Sequence, residues 1–385
     1  MKVKGINKIT ILGPAHPFRG GIASFNERLA KELQNSGKTI NIITYTTQYP
    51  SLIFPGKNQL TTDPKPETLH IERSFSTINP LTWKSTVQKI KTEKPDLLIS
   101  RFWLPYTSLS TNYIHRKIKK ESGIRQLSIV DNLIPHQHMP GDDFIINQFL
   151  NSIEYFICLS SGVLDDVIQR KKTANAEKIL HPIYDHYGNN ITKKAAAKTL
   201  NVNPEFNYIL FFGFIKPYKG LDLLLDCLDV RFLQEQKIKV LIAGDVYGSS
   251  KVYDDIISKK DLSEYVIFHK DYIPNEKVVA YFSLADLIVQ PYRTATQSGI
   301  SQIALHFEKP VVVTDVGSLS DFVADGKSGY VVPVDKSDIM NAIRKHFLNK
   351  DKSMMATSIR EQKSKFSWEE FANKLLAFAE KIPAH

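Results

Sequence analysis

The chain is poor in cysteine, with only Cys158 and Cys227 among its 385 residues. One sits in an apolar strand-like run and the other in a helix-like run, so neither a disulfide framework nor a cysteine metal site is expected, and a reducing cytosol fits. Long hydrophobic runs are missing as well: no stretch approaches the ~20 apolar residues of a membrane span. Met1-Lys-Val-Lys-Gly-Ile-Asn-Lys8 leads into a short strand rather than an apolar segment with a cleavage site, so the expectation is a protein neither exported nor membrane-spanning. No low-complexity tract argues for a disordered arm.

What is present is ordinary globular material, 42% hydrophobic and 23% charged, over a length that suits two domains of common size. Acidic residues are in deficit, 40 against 50 Lys+Arg, for a net charge of +10. Nearly all of the excess falls in residues 1–180, where 24 basic residues face 15 acidic ones, against 26 and 25 in residues 181–385. Clusters such as Arg116-Lys-Ile-Lys-Lys120 and Arg170-Lys-Lys172, with Lys84, Lys89, Lys91 and Lys94, suit an anionic membrane surface, an acidic acceptor or plain solvated helix faces. Nucleic acid is not expected, because the clusters lack interleaved aromatics and no known binding module is present.

Apolar runs of four to seven residues alternate with helical-period segments, the pattern of parallel sheets built by crossover helices, and the fold class read from it is α/β. The first half offers strands at Ile9–Leu12, Thr39–Tyr45, Asp96–Ser100, Gln126–Asp131 and Tyr155–Ser160. Between the first two, Ile22, Phe25, Leu29 and Leu33 share one helix face and Gly37 is placed to stop it. A second series runs Tyr208–Phe212, Lys239–Ala243, Val266–His269, Leu287–Gln290, Val311–Thr314 and Tyr330–Val332. The expected division is a first domain over 1–185, a Gly/Pro/Asn-bearing linker over 186–206, a second domain over 207–365 and a terminal helix over 366–385 that packs back towards the first domain, with Ser367 as its N-cap.

The segment that says most about chemistry is Tyr208-Ile-Leu-Phe-Phe-Gly-Phe-Ile-Lys-Pro-Tyr-Lys-Gly-Leu-Asp-Leu-Leu-Leu-Asp226. A buried strand runs into a loop with Gly213, Gly220, Lys216 and Lys219, and an amphipathic helix follows. Glycines let backbone approach an anion, a helix start offers free N–H groups, and the lysines add charge; an ordinary crossover with two solvated lysines is the plain alternative. A similar layout returns at Pro291-Tyr-Arg-Thr-Ala-Thr-Gln-Ser-Gly299, where Arg293, Thr296, Gln297, Ser298 and Gly299 suit phosphate oxygens, or merely cap a helix. Near the N-terminus, Gly20 and Gly21 precede the first helix at a strand end, without the Gly-x-Gly-x-x-Gly spacing of a dinucleotide site.

In order and spacing these segments, with Ala243-Gly-Asp245, Lys309-Pro-Val-Val-Val-Thr-Asp-Val-Gly317 and Asp325-Gly-Lys-Ser-Gly-Tyr330, resemble glycosyltransferase family 4, nucleotide-sugar-dependent enzymes with two Rossmann-like domains facing across a cleft in the GT-B arrangement. The resemblance spans nearly the whole chain. It implies transfer of a sugar, with retention, from a nucleoside-diphosphate-sugar, the nucleotide expected to be UDP or GDP, to an acceptor hydroxyl on a glycan or lipid-linked glycan. No metal ion is obligatory in this reading, since two fixed cations stabilise the charge growing on the leaving nucleotide.

The resemblance maps the diphosphate onto Lys219 and Lys216, with Gly213 and Gly244 at the donor loops and Gly20 and Gly21 approaching from the first domain. Phe214 replaces the family's arginine after the first glycine, and the paired glutamates would fall at Ala295 and Ile303, where Thr296-Gln-Ser-Gly299 reads as a subgroup variant. The family's strand-end histidine is replaced by Asp131; His136, in the following loop, is the histidine that stands closest in sequence. Asp131 and His136 are thus expected at the sugar or acceptor, although each also suits a turn or a surface position, and a His136/His138 metal pair finds no third ligand. The setting implied is cytoplasmic, with peripheral contact at the inner face of an anionic membrane. A sugar-nucleotide epimerase and a non-catalytic partner subunit of the same fold are the rival readings.

Overall fold

The computed structural model describes residues 5–49, 59–61, 64–121, 123–135, 139–185, 187–295, 298–349 and 353–383. They form two compact units, residues 1–181 with 368–385 and residues 182–367.

The first unit alternates strand and helix: β1 (Lys8–Leu12), α1 (Gly21–Asn35), β2 (Thr39–Thr47), β3 (His70–Ser76), α2 (Pro80–Glu93), β4 (Leu97–Phe102), α3 (Ser108–Glu121), β5 (Arg125–Val130), α4 (Asp142–Ser152), β6 (Tyr155–Cys158), α5 (Ser161–Arg170) and β7 (Asn175–Lys178). All pairings are parallel, in the order β3-β2-β1-β4-β5-β6-β7. The winding therefore reverses between β1 and β4. Helix α1 forms because Phe25, Leu29 and Leu33 recur at helical spacing and bury against the sheet, and it ends before Gly37, whose φ of +81° a glycine adopts without strain.

The second unit starts with α6 (Lys193–Leu200) and continues through β8 (Asn207–Phe212), α7 (Leu221–Cys227), α8 (Val230–Glu235), β9 (Ile238–Ala243), α9 (Lys251–Lys259), β10 (Val266–His269), α10 (Asn275–Leu284), β11 (Leu287–Gln290), α11 (Gly299–His306), β12 (Val311–Thr314), β13 (Gly329–Val332), α12 (Lys336–Leu348) and α13 (Ser353–Lys365). Its parallel sheet has the order β10-β9-β8-β11-β12-β13, with the reversal between β8 and β11. Segment 186–206, expected to be a linker, is instead part of this unit. Thr192 caps α6, whose Ala196 and Ala197 are small enough to bury fully against α10.

The last helix, α14 (Trp368–Glu380), belongs to the first unit. Its Trp368, Phe371, Leu375 and Phe378 are buried in the same cluster as Phe25 and Leu29 of α1, and Trp368 and Phe371 meet the Phe25 ring edge-on at 4.9 and 5.4 Å. The buried Arg125 side chain donates to the Ile382 carbonyl at 2.9 Å just beyond it. No helix of the described residues is long and apolar enough to cross a membrane.

Candidate functional site

Open α/β sheets take ligands at the carboxyl ends of their strands, where the winding reverses. In the second unit that place lies between the loops leaving β8 and β11. These are the loops of Gly213–Gly220 and Pro291–Gly299, so one crevice gathers both glycine-bearing segments.

The backbone there is packed too closely for side chains. A Cβ on Gly220 would stand 2.0 Å from the Pro291 carbonyl oxygen, and one on Gly244 would stand 2.1 Å from the Gly213 oxygen. Both glycines also have positive φ, +68° and +149°. The loops after β8, β9 and β11 are thereby locked together, and Lys216 and Lys219 are presented from a fixed frame.

Lys219 reaches inward. Its Nζ lies 3.3 Å from the point where a Cβ on Gly213 would sit and 5.5 Å from the centre of the buried Tyr292 ring. Burial, helped by the nearby Lys216 charge, lowers its pKa to about 8. No carboxylate among the described residues pairs with it. Lys216 stands over the exposed Tyr247 ring at 4.5 Å, and Phe214 meets that ring edge-on at 5.6 Å. A desolvated ammonium with a like charge beside it is an unfavourable arrangement that an anion relieves.

Ser298 and Gly299 open α11. The Ser298 hydroxyl is buried and committed: it donates to Gln290 Oε1 at 2.7 Å and accepts from the Ile300 N–H at 3.3 Å. Gln290 Nε2 in turn donates to Ser301 at 3.0 Å. What this helix start offers a ligand is therefore backbone N–H rather than the Ser298 hydroxyl expected from sequence. Tyr184 lies against Gly299, its Cε2 3.2 Å from where a Cβ would be.

Arg293 differs from expectation. Its guanidinium forms a two-point pair with Asp222, at 2.9 and 2.5 Å, and also donates to the Pro217 carbonyl at 2.9 Å. The reason is geometric, since Asp222 sits in the first turn of α7 and a planar fork matches a carboxylate. Arg293 braces the lysine loop instead of serving as a free cation. Thr296 and Gln297, like His136 and His138, lie outside the described residues. Of the two positions where the family's glutamates would fall, Ile303 is buried in the core of α11.

In the first unit the winding reversal brings together the ends of β1, β4 and β5. Asp131, directly after β5, accepts from Arg101 Nε at 2.7 Å and from Arg101 Nη2. Arg101 is buried, with its guanidinium 3.9 Å from the Phe25 ring centre and its stem against Gly13. Gly20 and Gly21 stand at the start of α1 beside this rim, Gly20 as its N-cap without a side-chain bond. Arg101 was not among the sequence candidates. A charged side chain inside the apolar run Leu97-Leu-Ile-Ser-Arg-Phe102 was the signal that it needed a partner.

Residues 207–349 match the family model described as glycosyl transferases group 1. A lipopolysaccharide 1,2-N-acetylglucosaminetransferase of Salmonella typhimurium is 27% identical over 184 residues, 46% of this chain and 48% of that protein, so the match spans about half of that relative. An uncharacterized glycosyltransferase of Methanocaldococcus jannaschii is 24% identical over 379 residues, 94% of this chain and 95% of that one. Among solved structures, the Anabaena protein HepE in complex with UDP superimposes with a TM-score of 0.69 at 14% identity, covering 96% of this chain and 98% of the other. Two parallel-sheet α/β units with this likeness are the GT-B fold, and the match to group 1 glycosyl transferases covers residues 207–349 of the second unit.

Proposed function

We propose that the chain transfers a sugar from a nucleoside-diphosphate-sugar to an acceptor hydroxyl on a glycan or lipid-linked glycan, with retention, as an enzyme of the family 4 type. The single observation that carries this reading is Lys219: a desolvated ammonium without a carboxylate partner among the described residues, beside Lys216, at the winding reversal of the second sheet. A diphosphate supplies the missing charge there. It gains a further partner in the N–H groups that open α11.

In this proposal both lysines grip the diphosphate and stabilise the leaving nucleotide as its charge grows. The backbone at Ser298 and Gly299 grips the diphosphate with them, and the Arg101–Asp131 rim serves the acceptor side. The relatives lend support: one is named for lipopolysaccharide glycosyl transfer, and HepE was solved with UDP. Contact of the basic first unit with an anionic membrane is part of the same proposal, and unchanged partitioning between neutral and anionic vesicles would remove it.

Calorimetry against UDP, GDP, ADP and TDP, with Lys219→Ala in parallel, is the test. The expected result is binding of one of them and loss of transfer by about two to three orders of magnitude in the variant, with the fold intact. Near-normal turnover by Lys219→Ala would discredit the assignment. Failure of every diphosphate to bind favours the non-catalytic partner subunit, the reading suggested by Ala295 and Ile303.

A further inference from the structure

Helices α2 and α3 follow β3 and β4, so both begin at the carboxyl edge of the first sheet. They pack side by side, and near their starts the Trp83 and Tyr113 rings lie 5.8 Å apart, each half-buried against the core beneath. Close to this pair in sequence, three apolar side chains stand in solvent: Leu81 is 83% exposed, Ile78 59% and Leu109 41%. One such residue alone would be unremarkable on any protein surface. Three at the start of two adjacent helices form a patch that something apolar can cover.

The turn that carries Ile78 and Leu81 is held by a set of hydrogen bonds. Asn79 caps α2 by accepting from the Leu81 N–H at 3.1 Å, and the Trp83 indole donates to the Ser76 carbonyl at 2.6 Å. The Thr82 hydroxyl accepts from the Ser76 N–H at 2.9 Å and donates to the Asn79 carbonyl at 2.6 Å. The fold therefore fixes these two side chains at the surface instead of leaving them on a frayed end.

Charge says what covers them. Lys84 follows Leu81 by three positions and Lys117 follows Tyr113 by four, spacings that share a helix face, and both lysines are exposed. The Lys117 ammonium lies 5.9 Å from the Tyr113 ring centre. Lys89 and Lys119, farther along the same helices, are instead paired with Glu72 and Glu93 and with Glu154. A second copy of the chain docked here about a two-fold axis would bring like charges together, and the cores of protein interfaces are poor in lysine. An anionic bilayer meets every part of the patch: an apolar layer for the aliphatic side chains, an interfacial belt for Trp83 and Tyr113, and headgroup phosphates for the lysines.

We propose that the starts of α2 and α3 form a docking face for the surface of an anionic bilayer, with Leu81 and Ile78 inserted below the headgroups and Lys84 and Lys117 against them. This gives the membrane contact proposed above its residues and rests on that reading.

The full chain is co-sedimented with vesicles of phosphatidylcholine and of phosphatidylcholine mixed with phosphatidylglycerol, as wild type and as Leu81→Gln, Ile78→Ser, Lys84→Gln and Leu348→Gln. Leu348, 58% exposed at the end of α12 in the second unit, is the control for an apolar side chain outside the patch. All four side chains are exposed, so the variants should melt at the wild-type temperature, which separates loss of lipid binding from loss of fold. Wild type is expected to prefer the anionic vesicles. Leu81→Gln should weaken its partitioning about tenfold in low and high salt alike, Lys84→Gln about fivefold in low salt and far less in high salt, and Leu348→Gln not at all. If Leu81→Gln and Ile78→Ser partition as wild type does, or if Leu348→Gln loses as much, this docking face is overturned while membrane contact itself stands. Wild type that binds neither vesicle, or both equally, overturns the two together. Should Leu81→Gln leave lipid binding unchanged and turn a dimer into a monomer in sedimentation velocity, the face is a contact between copies and the proposal falls.

Discussion

Arg101 and Asp131 form a two-point ion pair in which the arginine side chain is 2% exposed and the carboxylate 21%. The arginine is therefore held inside the fold by a partner whose outer face still meets solvent. Removing that partner strands a buried charge, and Asp131→Ala should cost about 3–5 kcal/mol of stability. Asp131→Asn keeps an acceptor for the guanidinium and should cost distinctly less. Urea denaturation of both variants checks this. If Asp131→Ala is as stable as wild type yet inactive, the carboxylate acts on substrate rather than through Arg101.

Lys219 should make nucleotide binding depend on pH. Its pKa in the free protein, about 8, lies below the ordinary 10.5, so the folded state carries a penalty for the charged lysine below pH 8, and stability rises as pH climbs from about 8 towards 10.5. A bound diphosphate favours the charged form. Affinity for UDP should then fall by up to about tenfold per pH unit above pH 8, with proton uptake on binding. Lys219→Ala should abolish the dependence. Lys216→Ala should move its midpoint upward, because the Lys216 charge is one of the two causes of the low value. Calorimetry in buffers of different ionisation enthalpy reads both effects, and an affinity flat across this range would contradict them.

The sequence carried the sheets well where strands are buried on both faces. Leu287–Gln290 and Val311–Thr314 were legible to the residue, because central parallel strands must be apolar throughout. Strands β3 and β7 were missed. Both are sheet edges, and His70-Ile-Glu-Arg-Ser-Phe-Ser76 and Asn175-Ala-Glu-Lys178 carry the charges that such edges need. Segment 186–206 read as a linker from its Gly, Pro and Asn, whereas Ala196, Ala197 and Leu200 of α6 bury one face of that helix against the second unit.

At the candidate site the glycine loops and both lysines could be read because their spacing is local. Arg101 with Asp131 and Arg293 with Asp222 could not, because those partners lie 30 and 71 positions apart and meet only through the sheet order.

Gly220 should tolerate nothing larger. An alanine there has its Cβ 2.0 Å from the Pro291 oxygen at a φ of +68°, so the loop carrying Lys216 and Lys219 must move. Gly248, with φ +96° but no atom within 4 Å of an added Cβ, is the control for backbone strain alone, which amounts to about 1–2 kcal/mol. Gly220→Ala should lose more stability than Gly248→Ala and weaken UDP binding by at least tenfold, about 1.4 kcal/mol, while the control keeps its affinity. Equal effects of the two substitutions would mean that contact with Pro291 does not set the lysine loop.

His115 should make the first unit sensitive to acid. It is fully buried on α3, with Nδ1 2.6 Å from Gln126 Oε1 and Nε2 2.7 Å from Ser100 Oγ. The glutamine oxygen can only accept, so Nδ1 carries the proton and Nε2 accepts from the serine, which leaves the ring neutral and satisfied. Burial lowers its pKa from 6.5 to about 4. The unfolded chain therefore takes up a proton at this residue as pH falls through 6.5, while the folded chain does not until about pH 4. Stability should drop across that window by up to roughly 3 kcal/mol from this residue alone. Urea melts at pH 7 and near pH 4.5 measure the drop. His115→Gln should be less stable at neutral pH, having lost a fitted partner, but its stability should fall less steeply with acid. Parallel pH profiles for variant and wild type would place the acid sensitivity elsewhere.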